Sequence, residues 1–181
     1  MSNAKDAINE QSTPGSEGKI LLVIRHAKSS WDIGILNDFE RPLNERGKKD
    51  APEMAARLIS RNIKIDLFVS SPAKRAKKTA ELFCETFGRK TDSIEFISSL
   101  YHAATNDFYQ AIDQLDNTKK AVAVFSHNPG ITEFVNTLTD FVKIDNIPTC
   151  GVYGIKLYIN KWSEFKGAKK EFLFFDYPKN G

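Results

Sequence analysis

Two of the three histidines in this chain stand next to groups that handle anions. His26 follows Arg25, and His127 follows Ser126; a third segment, Ser70-Ser71-Pro72, leads into Arg75. Each of the three follows a short apolar run. An imidazole flanked by guanidinium groups suits attack on phosphorus: the forked Arg25 and Arg75 side chains can hold phosphoryl oxygens, and the nearby positive charge keeps His26 neutral, with a lone pair to donate. The expected reaction is in-line attack by one His26 ring nitrogen, with Arg25, Arg75 and His127 stabilising the equatorial oxygens, then attack of water on the phosphohistidine. The expected catalytic set is therefore His26, Arg25, Arg75 and His127. The substrate-binding set adds Ser71 and Lys28 to Arg25, Arg75 and His127.

To bring these residues together the chain must place three strand ends along one edge. Ile20 to Ile24, Ile65 to Val69 and Ala121 to Phe125 are continuous apolar runs, the pattern of strands buried on both faces of a parallel sheet. In open α/β sheets the ligand lies beyond the carboxyl ends of such strands. Helical patterns alternate with them. Asn44 is placed to cap a helix carrying Ala51, Met54, Ala55, Leu58 and Ile59. Ser71 and Pro72 read as the N-cap and first residue of a second helix, carrying Ala76, Ala80, Phe83 and Phe87 and closed by Gly88. Lys74, Arg75, Lys77 and Lys78 crowd the start of that helix against the macrodipole, an arrangement that makes sense beside a bound anion.

Ile94 to Ile97 reads as another strand. A third helix carries Phe108, Ala111, Ile112 and Leu115, and a fourth carries Ile131, Phe134, Val135 and Leu138. Alternating residues from Val152 to Ile159 and from Glu171 to Asp176 form a hairpin across the connection from Trp162 to Lys169. The expected fold is a three-layer α/β sandwich: a mostly parallel central sheet, helices on both faces, and an antiparallel C-terminal edge hairpin.

At 181 residues and 41% hydrophobic, the folded part, 19–181, is one domain with one core. Residues 1–18 are polar and read as a flexible leader or an expression remnant. Two cysteines, Cys84 and Cys150, are too few for a disulfide framework, and three histidines without ligand spacing argue against a metal; no cofactor is expected. A net charge of +3 is far from the footprint of a nucleic-acid binder, and no apolar run is long enough to span a bilayer. Nucleic acid and membrane are thus not expected partners, and a cytoplasmic location fits.

With these motifs in view, the chain resembles the histidine phosphatase superfamily, the phosphoglycerate mutase-like group. Leu22-Val23-Ile24-Arg25-His26-Ala27 resembles its nucleophile motif, Ser70-Ser71-Pro72-Ala73-Lys74-Arg75-Ala76 its second-arginine motif, and Ser126-His127-Asn128-Pro129 its second-histidine motif. Within it, Arg25-His26-Ala27-Lys28-Ser29-Ser30-Trp31 and Arg41-Pro42-Leu43-Asn44-Glu45-Arg46-Gly47 are most similar to SixA-like phosphohistidine phosphatases, over about residues 19–138. The resemblance implies a metal-independent phosphatase acting on protein phosphohistidine. Where many relatives carry an acidic proton donor after a leucine, this chain has Tyr101 after Leu100, so the general acid is unassigned; Asp38 and Glu40 are weak candidates. The missing acid favours a phosphorus–nitrogen bond, because imidazole departs from phosphorus more readily than an alkoxide. The alternatives are a phosphatase of a small phosphorylated metabolite and a noncatalytic phosphate-binding module. His102 reads as an ordinary exposed histidine, and Lys28, Lys74, Lys77 and Lys78 at most steer an anionic partner.

Overall fold

A computed structural model of the chain describes residues 18–31 and 37–180. All but one of the residues expected to form the leader lie outside that range. The apolar runs form a six-stranded sheet in the order β3-β2-β4-β1-β5-β6. These strands are β1 (Lys19–Arg25), β2 (Leu67–Ser70), β3 (Glu95–Phe96), β4 (Ala121–Ser126), β5 (Val152–Leu157) and β6 (Lys170–Asp176). β1 to β4 run parallel to one another; β5 is antiparallel to both β1 and β6. The expected C-terminal hairpin is present, and its first strand closes onto the central β1.

In place of the single core expected from the sequence there are two, because the side-chain period of two divides each central strand between the two faces of the sheet. Leu21, Val23, Val122 and Val124 face one side; Leu22, Ile24, Ala123 and Phe125 face the other. Helices α1 (Glu45–Ser60) and α2 (Lys74–Thr86) cover the second face. Helices α3 (Thr105–Asp113) and α4 (Gly130–Val135), with Trp162 and Phe165 from the β5–β6 connection, cover the first. The three-layer sandwich is as expected. On β5, the alternation expected from Tyr153 to Ile159 places Tyr153, Ile155, Leu157 and Ile159 in one cluster.

The helix ends follow local chemistry, with corrections. Asn44 caps α1, its side chain accepting the Gly47 N–H at 2.9 Å. Gly88, at φ +66°, follows the last residue of α2's final turn, where a Cβ would be strained. Ile59, assigned to the buried stripe of α1, is 43% exposed because it lies past the arc that meets the sheet. Ser71 is not the cap of α2: the helix starts two residues beyond Pro72 and Ala73 takes the cap position without a side-chain bond, while the Ser71 hydroxyl accepts the Ala73 N–H at 3.3 Å, before the helix begins, and meets His127 on its other side. Leu115 and Leu138 are buried but lie just past their helices, in turns. The run from Ile94 to Ile97 supplies only the two-residue β3, an exposed edge strand paired with β2 alone.

Candidate active site

The ends of β1, β2 and β4 meet at one edge, since β4 lies between the other two. Arg25 closes β1, and the His26 N–H donates to the Ser126 carbonyl at 3.1 Å, joining the first and third motifs through the backbone. From the far side, Cys150 donates its N–H to the His26 carbonyl at 3.0 Å, and the Arg25 N–H donates to Gly151 at 3.1 Å. The nucleophile candidate is thus held through its main chain on both flanks.

Two contacts fix the His26 tautomer. Nδ1 lies 2.8 Å from the Ala27 carbonyl oxygen, which can only accept, so Nδ1 carries the hydrogen. Arg75 Nε–H donates to Nε2 at 3.2 Å, so Nε2 presents the lone pair. The ring is buried, and its pKa falls from 6.5 to about 3. Burial is the largest cause; the bond to Ala27 opposes it, and Arg75, Arg25 and Arg41 push the same way as burial. The cations were expected to keep His26 neutral, and they contribute, but desolvation dominates.

His127 lies beside it, with ring centroids 5.2 Å apart. Its Nε2 is 2.7 Å from the Ser71 hydroxyl, which also accepts the Ala73 N–H at 3.3 Å. His127 is neutral as well: its pKa drops to about 2, first through burial, then through His26, Arg75 and His102. His127 therefore offers an N–H, not a cation. Its Nδ1 is buried without a protein partner, as is Nε of Arg25. Buried polar atoms of this kind are rare, and an oxyanion would satisfy both. Arg25 Nη1 is spent on the Ile147 carbonyl at 2.7 Å, which aims the rest of its fork.

Arg75 is 3% exposed, and each of its three nitrogens makes a hydrogen bond through one of the five guanidinium N–H groups. Besides His26, it donates through Nη1 to the Asp38 carbonyl at 2.7 Å and through Nη2 to the Asp38 carboxylate at 3.0 Å. Asp38 also pairs with Arg41 at 3.1 Å and accepts the Tyr101 hydroxyl at 3.0 Å. Partial burial raises the Asp38 pKa, but Tyr101, Arg75 and Arg41 outweigh it and hold the carboxyl below its ordinary value. A carboxylate held ionised is a poor acid, so Asp38 is a clamp on Arg75 and not the proton donor considered from sequence. Glu40 lies in a different groove, lined by α2 lysines.

The structure brings His26, Arg25, Arg75 and His127 together, with Ser71 behind His127. It does not bring Lys28: that carbonyl receives the Asn44 N–H at 3.0 Å, and the residue borders a separate groove with Trp31 and Leu43. His102 is exposed, with its ring 4.0 Å from that of Tyr101. Sequence reasoning passed over two supports. Thr79 accepts the Ala27 N–H at 3.0 Å and donates to the Arg75 carbonyl at 2.7 Å, tying the nucleophile loop to α2. Arg41 reaches Ser29 Oγ at 2.6 Å and lies over the Trp31 ring at 3.8 Å. Thr79 carried a signal, a polar residue at an inward position of the α2 stripe; Arg41 was named as the first residue of the motif running to Gly47 but given no role. Among the described residues no group of three His, Cys, Asp or Glu is placed to hold a metal ion, and no helix is long and apolar enough to cross a membrane.

Residues 21–98 match the family model of the histidine phosphatase superfamily (branch 1). An uncharacterized chloroplastic protein of Arabidopsis thaliana is 29% identical over 153 residues, covering 80% of this chain and 69% of that protein. A 2,3-bisphosphoglycerate-dependent phosphoglycerate mutase of Bartonella tribocorum is 32% identical over 92 residues, which span 50% of this chain and 42% of the mutase. Among solved structures, the protein histidine phosphatase SixA complexed with tungstate superposes with a TM-score of 0.75 at 22% identity, covering 89% of this chain and 98% of that one. That likeness establishes the shared fold.

Proposed function

We propose that this chain, whose residues 21–98 match the model of the histidine phosphatase superfamily (branch 1), hydrolyses protein phosphohistidine through a phosphoryl group carried on Nε2 of His26. Nε2 attacks phosphorus in line as the bond to the substrate imidazole nitrogen breaks. Arg25, Arg75 and His127 Nδ1–H take the equatorial oxygens, and water then releases phosphate. The orphaned Arg25 Nε and His127 Nδ1 support an oxyanion between them, and the related SixA fold has been solved with tungstate, an oxyanion.

One observation carries the substrate class. Among the described residues the only carboxylate bonded to the His26 cluster is Asp38, and Arg75, Arg41 and Tyr101 hold it ionised. Among the described residues no protonated carboxyl is bonded to the cluster to serve an alkoxide. A substrate imidazole whose second nitrogen is already protonated departs as a neutral ring and needs none. The two buried cysteines are free, which fits a reducing cytoplasm.

The test compares wild type with His26→Ala on a phosphohistidine protein and on a panel of phosphomonoesters, with chelator present. Phosphate release from the phosphohistidine protein, abolished in the variant, supports the reading. Release from monoesters alone moves the substrate to a small phosphorylated metabolite, and release from neither leaves a phosphate-binding module.

A further inference from the structure

Beside the pocket runs a second groove of about 670 Å³ that the phosphoryl chemistry does not use. Phe39, Pro42, Leu43 and Pro72 supply its apolar walls, and four lysines border it against two glutamates. Lys48 and Lys78 are matched on their own helices by Glu45 at 2.7 Å and Glu81 at 3.4 Å. Lys74 and Lys77 are exposed and have no carboxylate partner among the described residues. They also sit in the first turns of α2, which has no acidic residue in its first turn and no side-chain cap. Both lysines line the groove where the helix itself disfavours ammonium groups, Lys77 with its ammonium 5.4 Å from the centre of the exposed Phe96 ring.

The groove adjoins the pocket at two points. Pro72 follows Ser71, which is bonded to His127. Phe39 follows Asp38, which is bonded to Arg75, and its ring meets Tyr101 edge-on at 5.1 Å; Tyr101 in turn meets His127 at 5.6 Å. A chain presenting a phosphorylated side chain to His26 would therefore lay its neighbouring residues along the groove. We propose that this groove docks the segment flanking the phosphohistidine in the substrate protein, and that it selects segments carrying acidic residues together with an apolar anchor. The proposal rests on the phosphohistidine phosphatase reading and extends it to the substrate's sequence. Charge complementarity with Lys74 and Lys77 sets the acidic preference; the apolar walls supply desolvated contact for the anchor.

The experiment uses three probes: phosphoramidate, a phosphohistidine peptide with glutamate and leucine in its flanks, and the same peptide with neutral polar flanks. Each is assayed with wild type and with Lys74→Ala/Lys77→Ala. Wild type should favour the acidic peptide by roughly tenfold in kcat/KM at low salt, through KM, with the preference shrinking as salt rises. The double variant should lose the preference while turning over phosphoramidate at the wild-type rate. Equal treatment of both peptides by wild type overturns the docking proposal, as does a variant that retains the preference or slows on all three probes alike. Failure of wild type on phosphoramidate and on both peptides would instead overturn the reading of His26 beneath it.

Discussion

Asp38→Asn separates clamping from repulsion at Arg75. The carboxylate lies 3.0 Å from Arg75 Nη2 and is 41% exposed. An oxyanion on another edge of that guanidinium would stand about 7 Å from the carboxylate, allowing for two hydrogen bonds and the width of the fork. Two like unit charges at about 7 Å repel by about 0.6 kcal/mol at the dielectric of water and about 2.4 kcal/mol at an effective value of 20. The exposed side chain belongs toward the screened end, so removing its charge should tighten oxyanion binding by about three- to tenfold. The Asp38 carbonyl still accepts Arg75 Nη1 at 2.7 Å, so the side chain keeps an anchor. Turnover should nevertheless fall, since Nη2 loses its charged acceptor and the alignment of Nε on His26 loosens. Calorimetric titration with tungstate reads binding without requiring turnover. A variant that melts within a few degrees of wild type yet binds tungstate no more tightly would refute the placement of Asp38 beside the oxyanion.

Two further outcomes follow from burial and close approach. His26 and His127 have pKa values of about 3 and about 2 in the folded chain against 6.5 when unfolded, so the unfolded state binds protons first as pH falls. Their stabilising contribution is complete above pH 6.5 and is lost on descending toward pH 3, at up to about 1.4 kcal/mol per pH unit for each ring. Urea titrations at pH 7.5 and 5 should show that His26→Asn loses about 2 kcal/mol less than wild type across that interval; equal losses would contradict the burial argument. Gly47→Ala should destabilise the chain, although a helical glycine to alanine change ordinarily stabilises, because the new Cβ would overlap the Lys28 carbonyl oxygen and lie 2.9 Å from the Lys28 nitrogen. The expected cost is about 1 to 3 kcal/mol in urea unfolding, and a gain would show that the loop after the nucleophile can yield.

Much of this arrangement was legible because the buried strands announce themselves. Ile20 to Ile24 and Ala121 to Phe125 have no polar alternative register, and each leads directly to a histidine. What was not legible depends on contacts between residues distant in sequence. Ser71 reads from sequence only as a helix cap, yet its hydroxyl also holds His127, 56 positions later, while accepting the Ala73 N–H. Asp38 looks like a spare acid until Arg75 and Arg41 converge on it, and their charges reverse its role. Lys28, adjacent in sequence to the nucleophile motif, turns away because its carbonyl is taken by the start of α1. That His127 stays neutral depends on burial, which periodicity does not report for a residue at a strand end.

The bond from Cys150 to the His26 carbonyl, and the pairing of β1 between β4 and β5, have a consequence for the order of assembly. During synthesis, His26, Arg75 and His127 are all made before the strand that flanks β1 on its second side. Until Cys150 reaches its left-handed turn at φ +62° and β5 pairs, one edge of the nucleophile's strand is open. Closing it spans more than a hundred residues, a non-local step of the kind that slows folding. Catalytic competence should therefore arrive late and all at once, coupled to the docking of the C-terminal hairpin, rather than growing as each motif emerges.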